Sequence, residues 1–278
     1  MNVALDRRAD LQANANDKRF VDYYASESKT DRARQRSLNI LSAVLRKRAD
    51  ASLSTDRLDV GDIGCNAGTQ SFCWLDQGHR VRGLDVSADL IAIAKERCNA
   101  FDGRAEFEVG TAERLPWPTE SLDVVLMPEL LEHVQDWRSC LNEAVRVLKA
   151  GGTLYVSTTN ALCPVQQEFN LPAYSWYPKR LKSHFLKLAT STSPELVNYA
   201  TYPAYHWFTP YSLERFLQPL GMTVLDRFDV IDTRKLGGTG KAVVSMAKRF
   251  RLVRFIGHVL IDGSSLVAHK QCIAQTNS

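Results

Sequence analysis

Apolar positions along the first 160 residues alternate between a helical period and short apolar runs typical of buried strands. Leu38, Leu41 and Val44 recur at helical spacing and predict a helix over residues 31–48. Further helices are predicted over residues 69–77, 88–100 and 137–149, and strands over residues 58–63, 80–86, 105–109, 122–127 and 153–158. Asp136 and Gly151 are predicted to begin and stop the last helix. The alternation indicates parallel strands joined by right-handed crossovers.

The pattern changes after residue 160, because residues 161–208 are rich in Pro, Tyr and Trp and predict an inserted cap. The remaining elements are a helix over 211–217, a strand over 222–231, a basic amphipathic insertion over about 237–262 and a closing strand over 264–268. We therefore predict an α/β fold with a Rossmann-like, doubly wound, seven-stranded and mostly parallel sheet and an aromatic-rich cap. The predicted divisions are an N-terminal helical segment (1–50), a ligand-binding core (51–160), the cap (161–208) and the C-terminal part of the sheet (209–278).

Composition narrows the class of protein. Of the 278 residues, 45% are hydrophobic and 24% are charged, which is typical of a globular protein. The charged start and the lack of an apolar run of about 18 residues predict a chain that is neither secreted nor membrane-spanning. Six cysteines without a C-x-x-C pair favour reduced thiols and a cytoplasmic location. A net charge of +4 is too small to indicate a nucleic-acid partner, and none is expected.

Candidate chemistry begins where the first predicted strand ends. Asp62 precedes a turn with the spacing Gly64-x-x-x-Gly68, and Asp85 ends the next strand. A glycine turn lets a ligand approach the backbone at the carboxyl edge of a parallel sheet, and a carboxylate about 20 residues later suits the two hydroxyls of a ribose. A nicotinamide dinucleotide is the alternative, but its G-x-G-x-x-G fingerprint is missing. An acidic residue before the turn favours a ligand with a cationic amino group.

Four ordered motifs, at residues 62–68, 83–87, 110–116 and 129–134, resemble those of class I S-adenosylmethionine (SAM) methyltransferases. The greatest likeness is to the ubiquinone-biosynthesis O-methyltransferase branch. The resemblance implies that Asp62 and the glycine turn hold the methionine end of SAM, and that Asp85 binds the ribose. Val86, Ala112 and Glu113 would frame the adenine, and Met127 would lie beside the sulfonium. The full cofactor-binding set implied in this way is Asp62, Gly64, Cys65, Asn66, Gly68, Asp85, Val86, Thr111, Ala112, Glu113 and Met127.

Two residues depart from the pattern of that family. Asn66 stands where glycine is usual, and asparagine tolerates a positive φ well enough for the turn to survive. Thr111 replaces the usual Asp beside the adenine, where a hydroxyl can still accept a hydrogen bond. We also expect Tyr23 or Tyr24, with Arg34 or Arg36, to close over the cofactor.

The segment from Glu129 to His133 is the candidate catalytic site. A helical turn would place Glu129 and Glu132 on one face with His133 beside them. The resemblance implies two uses for these residues, with His133 as general base for an acceptor hydroxyl or all three as ligands of a divalent cation. His206 would be a fourth ligand, and Mg²⁺ or another divalent cation would lower the pKa of a bound hydroxyl. A structural role is the remaining alternative.

The acceptor is predicted to be a small or lipid-like molecule, which is phenolic, a quinone precursor or a natural product, and to undergo O-methylation. N- or C-methylation and a catalytically inactive accessory subunit of a biosynthetic complex are the alternatives. The acceptor pocket is assigned to the aromatic residues of the cap, which are Phe169, Tyr174, Trp176, Tyr177, Tyr199, Tyr202, Tyr205 and Trp207. Basic patches over residues 179–187 and 241–254 predict a peripheral contact with an anionic membrane, although a solvated helix face would have the same pattern.

Overall fold

The predicted strands meet in one sheet. The computed structural model describes residues 18–101, 103–189, 191–197 and 204–271. The strand order is β3-β2-β1-β4-β5-β7-β6, and of these described strands only β7 runs in the direction opposite to all the others. The strands are β1 (Asp59–Ile63), β2 (Arg80–Asp85), β3 (Ala105–Val109), β4 (Leu122–Pro128), β5 (Leu148–Thr158), β6 (Met222–Asp226) and β7 (Ser264–Lys270). The predicted α/β fold with seven mostly parallel strands is therefore confirmed.

Helices pack on both faces of this sheet. They are α1 (Lys18–Glu27), α2 (Asp31–Asp50), α3 (Thr69–Asp76), α4 (Ala88–Arg97), α5 (Trp137–Val147), α6 (Lys179–Ala189), α7 (Pro210–Leu217), the single turn α8 (Arg227–Val230), α9 (Gly238–Arg249) and α10 (Arg251–Val259). On one face α2, α3 and α4 bury side chains such as Val44 and Trp74. On the other face α5 and α7 bury Leu141 and Leu213. The carboxyl ends of β1, β2, β4 and β5 thus share one edge between two apolar layers.

Two predicted boundaries differ from the structure, and the predicted basic insertion is divided into two helices. The last crossover helix ends at Val147, and Gly151 lies inside β5 with φ +73°, so it does not stop the helix. The predicted strand over 222–231 ends at Asp226, because the carboxylate of Asp226 accepts the backbone N–H of Phe228 and starts α8. The basic insertion breaks at Phe250, whose backbone is extended, into α9 and α10. Asp136 is confirmed as an N-cap, because it accepts the backbone N–H groups of Arg138 and Ser139.

Candidate active site

The turn after β1 is built on left-handed backbone. Gly64, Asn66 and Gly68 have φ values of +75°, +48° and +77°. The N–H groups of Gly64 and Cys65 donate to the Leu84 carbonyl of β2 at 2.7 and 3.1 Å, which joins the turn to the neighbouring strand. The Asn66 amide donates to the Gly64 carbonyl at 3.1 Å. The prediction that asparagine can replace glycine in this turn is confirmed, because its side chain compensates locally for the positive φ.

Gly68 is also tightly packed, and the chain before the sheet covers it. A Cβ on Gly68 would lie 3.0 Å from the Cβ of Ala94 on α4. Arg97, also on α4, donates to the Ala67 carbonyl at 2.9 Å, to the Thr69 hydroxyl at 3.1 Å and to the Ser28 carbonyl at 3.3 Å. The connection between α1 and α2 is thereby fixed against the turn. Sequence reasoning did not find this role of Arg97, because nothing in the local pattern marks it.

Asp62 is a fully buried carboxylate with one free oxygen. Its Oδ2 accepts the Ser71 hydroxyl at 2.6 Å, whereas its Oδ1 has no hydrogen-bond partner among the described residues. Burial raises the pKa of Asp62 to about 6, and the nearby Asp85 adds to the increase. A buried acceptor without a donor is costly, so this oxygen is a ready site for a ligand that brings an N–H group.

Asp85 lies next to it at the end of β2 and is also buried. Its Oδ2 accepts the backbone N–H of Asn66 at 2.9 Å, and its Oδ1 accepts the backbone N–H of Ser87 at 3.0 Å. Burial raises the pKa of Asp85, while these hydrogen bonds favour the charged form. An ionised carboxylate has about four acceptor positions, so each oxygen can still accept one hydroxyl.

The residues predicted around the adenine and the sulfonium differ in accessibility. Val86 and Thr111 are exposed at the carboxyl edge, Glu113 is half-buried and Ala112 is buried. Met127 is different, because its side chain is fully buried in the apolar layer with Ile63 and Leu141. A side-chain contact between Met127 and the sulfonium is therefore not supported, since the alternation of β4 turns this side chain into the core.

The segment from Glu129 to His133 does not form the predicted helical turn. Glu129 has φ +48°, and the backbone N–H of His133 donates to the Leu130 carbonyl at 3.0 Å, as in an isolated tight turn. Glu129 is exposed and His133 is half-buried. Glu132 is fully buried, with the Thr158 hydroxyl donating to its Oε2 at 2.7 Å. Its Oε1 has no hydrogen-bond partner in the described part of the chain.

Two residues outside this segment lie within electrostatic range of Glu132. Burial raises the pKa of Glu132 well above its ordinary value, and the charges of Glu129 and of Glu168 from the cap raise it further. The pKa of Tyr24 on α1 is raised by burial and by several negative charges, among them Asp85, Glu132 and Glu168. Tyr24 was a candidate in the sequence, whereas Glu168 carried no signal, because a single carboxylate in an aromatic segment is not distinctive.

The predicted metal ligands do not form a metal site. Within residues 18–101, 103–189, 191–197 and 204–271, no three His, Cys, Asp or Glu side chains are arranged to hold a metal ion. Glu132 is turned to Thr158, Glu129 is exposed, and His206 Nε2 lies 3.3 Å from the Gln135 carbonyl. The proposed set of Glu129, Glu132, His133 and His206 is therefore wrong, because the helical turn that was to align it is absent.

The aromatic residues of the cap mostly form the core of the cap. Phe169 and Tyr174 are buried and stacked, with ring centroids 3.9 Å apart. Tyr177 and Trp207 pack against them, whereas Trp176 and Tyr205 are exposed. Tyr199 and Tyr202 lie outside the described residues. An acceptor pocket lined by the whole aromatic set is therefore not supported, since the buried rings are used for packing.

Comparisons with known proteins agree with this geometry. Residues 61–156 match the methyltransferase domain family. A demethylmenaquinone methyltransferase from Tropheryma whipplei is 29% identical over 163 residues, which cover 59% of this chain and 65% of the relative. A ubiquinone biosynthesis O-methyltransferase from Rhizobium rhizogenes is 36% identical over 103 residues, which cover 37% of this chain and 42% of the relative. The chain thus spans less than two thirds of the length of these relatives.

Two solved structures share the fold over most of the chain. A putative sarcosine dimethylglycine methyltransferase from Galdieria sulphuraria has a TM-score of 0.54 at 12% identity, with 84% of this chain and 86% of that chain covered. A protein from Pyrococcus horikoshii has a TM-score of 0.52 at 17% identity, with 88% and 93% covered.

Proposed function

We propose that the methyltransferase domain of this chain, which belongs to the class I SAM-dependent family, methylates a hydroxyl group of a phenolic or quinone-precursor small molecule. The domain match and the curated relatives support the family, and the shared fold agrees with it. The acceptor and the oxygen target are our proposal. They rest on one observation, which is that two buried carboxylates, Asp62 and Glu132, each have one oxygen without a hydrogen-bond donor among the described residues.

These two oxygens lie at the carboxyl ends of two neighbouring strands, one within a strand and one in the turn that follows a strand. Asp62 lies in β1, and Glu132 follows β4, which pairs directly with β1. A buried carboxylate oxygen gains most from a charge-assisted hydrogen bond, so each position favours a ligand that brings a donor. Asp62 suits the ammonium group of a methionine moiety, and Glu132 suits a hydroxyl of the acceptor. The adjacency of the strands would place the two ligands side by side.

The residues at the cofactor end fit SAM. Asp62 would bind the amino group, and Asp85 has acceptor positions left for a ribose diol. The left-handed turn from Gly64 to Gly68 follows Asp62 and is hydrogen-bonded to Asp85 through the backbone N–H of Asn66. When bound, SAM supplies a methyl group on a sulfonium. Because the methyl donor carries the reactivity, the chain has to bind, orient and exclude water.

The residues at the acceptor end would orient the hydroxyl and take its proton. Glu132 would accept a hydrogen bond from a neighbouring hydroxyl of a catechol-type acceptor and so orient the hydroxyl that is methylated, which keeps its one proton for His133. His133, the next residue along the chain, would act as general base, because a phenol with a pKa of about 10 gains from a base of near-neutral pKa. Glu129, Glu168 and Tyr24 would form the polar wall around this position, within electrostatic range of Glu132. The names of the curated relatives add support for quinone-type acceptors.

The test separates cofactor binding from turnover. We expect micromolar binding of S-adenosylhomocysteine in a calorimetric titration, and methyl transfer from SAM in a screen of catechols and prenylated phenols. His133→Ala and Glu132→Gln should keep that affinity within about three-fold and lower turnover by about 100-fold or more, the range of a lost general base. His184→Ala, in an exposed histidine on α6, is the matched control and should keep full turnover.

Two results would count against the proposal. Full turnover in His133→Ala would remove this histidine from the mechanism. No detectable heat with S-adenosylhomocysteine would contradict a working cofactor site and favour an accessory role for the chain.

A further inference from the structure

The insertion between β6 and β7 presents an exposed apolar surface. The side chains of Leu252, Phe255 and Ile256 on α10, and of Leu260 directly after it, recur at helical spacing and are all exposed, Leu252 to 70% and Leu260 to 74%. Met246 on α9 and Phe250 at the break between the helices extend the same surface. We call these six residues the apolar face. Clustered exposed apolar side chains of this size mark an interaction site more often than chance exposure does.

The opposite side of the insertion is firmly attached to the sheet. Asp226 at the end of β6 accepts His258 Nε2 at 2.8 Å and Arg254 Nε at 2.7 Å, and Arg254 also pairs with Asp229. The Asn160 amide donates to the His258 carbonyl at 2.7 Å and to the Ile261 carbonyl at 2.8 Å. The insertion is therefore oriented by buried polar contacts, and the exposure of the apolar face is a consequence of this orientation.

Charge indicates what this surface binds. Residues 238–261 include Lys241, Lys248, Arg249 and Arg251 in addition to the paired Arg254, and they include no Asp or Glu. Here the cations lie mainly on α9 and the apolar side chains mainly on the adjoining α10. Apolar side chains bordered by Lys and Arg in amphipathic helical segments are typical of the interface of an anionic bilayer. Among the described helices, none is long and apolar enough to cross a bilayer. The geometry to consider is therefore a contact in which the helices lie along the surface of the bilayer.

The insertion also lies at the edge of the sheet that carries the candidate active site. β6 is antiparallel to β7, and β7 is antiparallel to β5, so β6 ends at the same edge as β5. The cap reaches the insertion as well, because the Gln167 amide donates to Asp262 Oδ2 at 3.0 Å. A bilayer against the apolar face would therefore lie beside the opening of the acceptor site.

We propose that the apolar face of α9 and α10 docks on an anionic lipid bilayer and gives the active site access to an acceptor with a lipid tail. Leu252, Phe255, Ile256 and Leu260 enter the headgroup region, and Lys248, Arg249 and Arg251 contact acidic headgroups. The identity of the acceptor rests on the proposed function, whereas membrane docking does not.

Co-sedimentation with vesicles tests the proposal. The full chain should pellet with vesicles of phosphatidylcholine containing about one third phosphatidylglycerol at low salt, and little with phosphatidylcholine alone. Leu252→Glu combined with Leu260→Glu should reduce the pelleted fraction by about five-fold or more, and Lys248→Glu combined with Arg249→Glu should do the same. Val109→Glu is the matched control and should pellet like the unchanged chain, because this exposed valine is on β3, which lies at the other end of the strand order from β6.

Three outcomes would overturn membrane docking. They are no pelleting of the unchanged chain at low salt, equal pelleting of all variants, and a dimer in sedimentation velocity that Leu252→Glu converts to a monomer without any vesicle binding. The last result would assign the apolar face to contacts between copies of the chain. Titration with S-adenosylhomocysteine on the same variants separates this result from the proposed function, because the α9–α10 substitutions should leave cofactor binding unchanged.

Discussion

Replacement of Asp62 with asparagine tests whether the end of β1 holds a buried carboxylate that the cofactor needs. Burial raises the pKa of Asp62 from 3.8 to about 6. The charged form is thus disfavoured in the folded protein, and the free energy of unfolding falls as pH rises from about 4 to about 6. At pH values above the pKa of Asp62 in both the unfolded and the folded chain, the buried charge lowers the free energy of unfolding by about 3 kcal/mol, from about two pKa units at about 1.4 kcal/mol each.

Asparagine does not titrate, so the variant lacks this dependence on pH. The difference in free energy of unfolding between Asp62→Asn and the unchanged chain should therefore rise by about 2 kcal/mol between about pH 4.5 and about pH 8. Urea unfolding at both pH values measures it. Affinity for S-adenosylhomocysteine should move the other way and fall by about 10- to 100-fold, because a charge-assisted hydrogen bond is lost.

Asp59→Asn on the same strand is the matched control, with the opposite sign. Burial would raise the pKa of Asp59, but hydrogen bonds from Arg80 and Lys149 outweigh it and lower the pKa. Its contribution to stability is present at neutral pH and is lost on acidification. A difference for Asp62→Asn that does not change with pH would refute the buried charge, and unchanged affinity would refute its role in binding the cofactor.

The turn and the insertion yield three further predictions. Gly68→Ala should lower the free energy of unfolding by about 1–3 kcal/mol and abolish cofactor binding, because its Cβ would press on Ala94 at a positive φ. The control is Gly78→Ala, whose Cβ meets nothing within 4 Å. It should lower the free energy of unfolding less in the same urea assay and retain binding. Asn66→Gly should keep calorimetric affinity within about three-fold, since glycine adopts the same φ at no cost. Asp226→Ala should lower the free energy of unfolding in urea by about 3–5 kcal/mol and raise protease cleavage within residues 238–261, because the Arg254 guanidinium and the His258 imidazole lose the carboxylate that both contact. Unchanged cleavage would show that the insertion is held by other contacts.

Much of the candidate site could be predicted because its signals are local. The strand that ends in Asp62, the glycine turn and Asp85 lie within 24 residues, and each depends on backbone conformation that only certain residue types adopt. The tolerance of Asn66 for a positive φ follows from its own side chain. The parallel direction of the core strands follows from the alternation of strand and helix periods.

Local periodicity does not encode contacts between distant segments, and the remaining features depend on such contacts. Packing of the cap and α1 around Glu132 brings Glu168 and Tyr24 within electrostatic range of this carboxylate, where the acceptor is proposed to bind. The turn after Glu129 follows β4 into a non-helical conformation, which removes the predicted metal site. By itself the sequence determined the fold class and the positions of the two candidate cofactor carboxylates through residue-specific backbone preferences. Tertiary packing alone decided which buried oxygens lack a donor and which face of the basic insertion is exposed, because burial and charge depend on all neighbours in space.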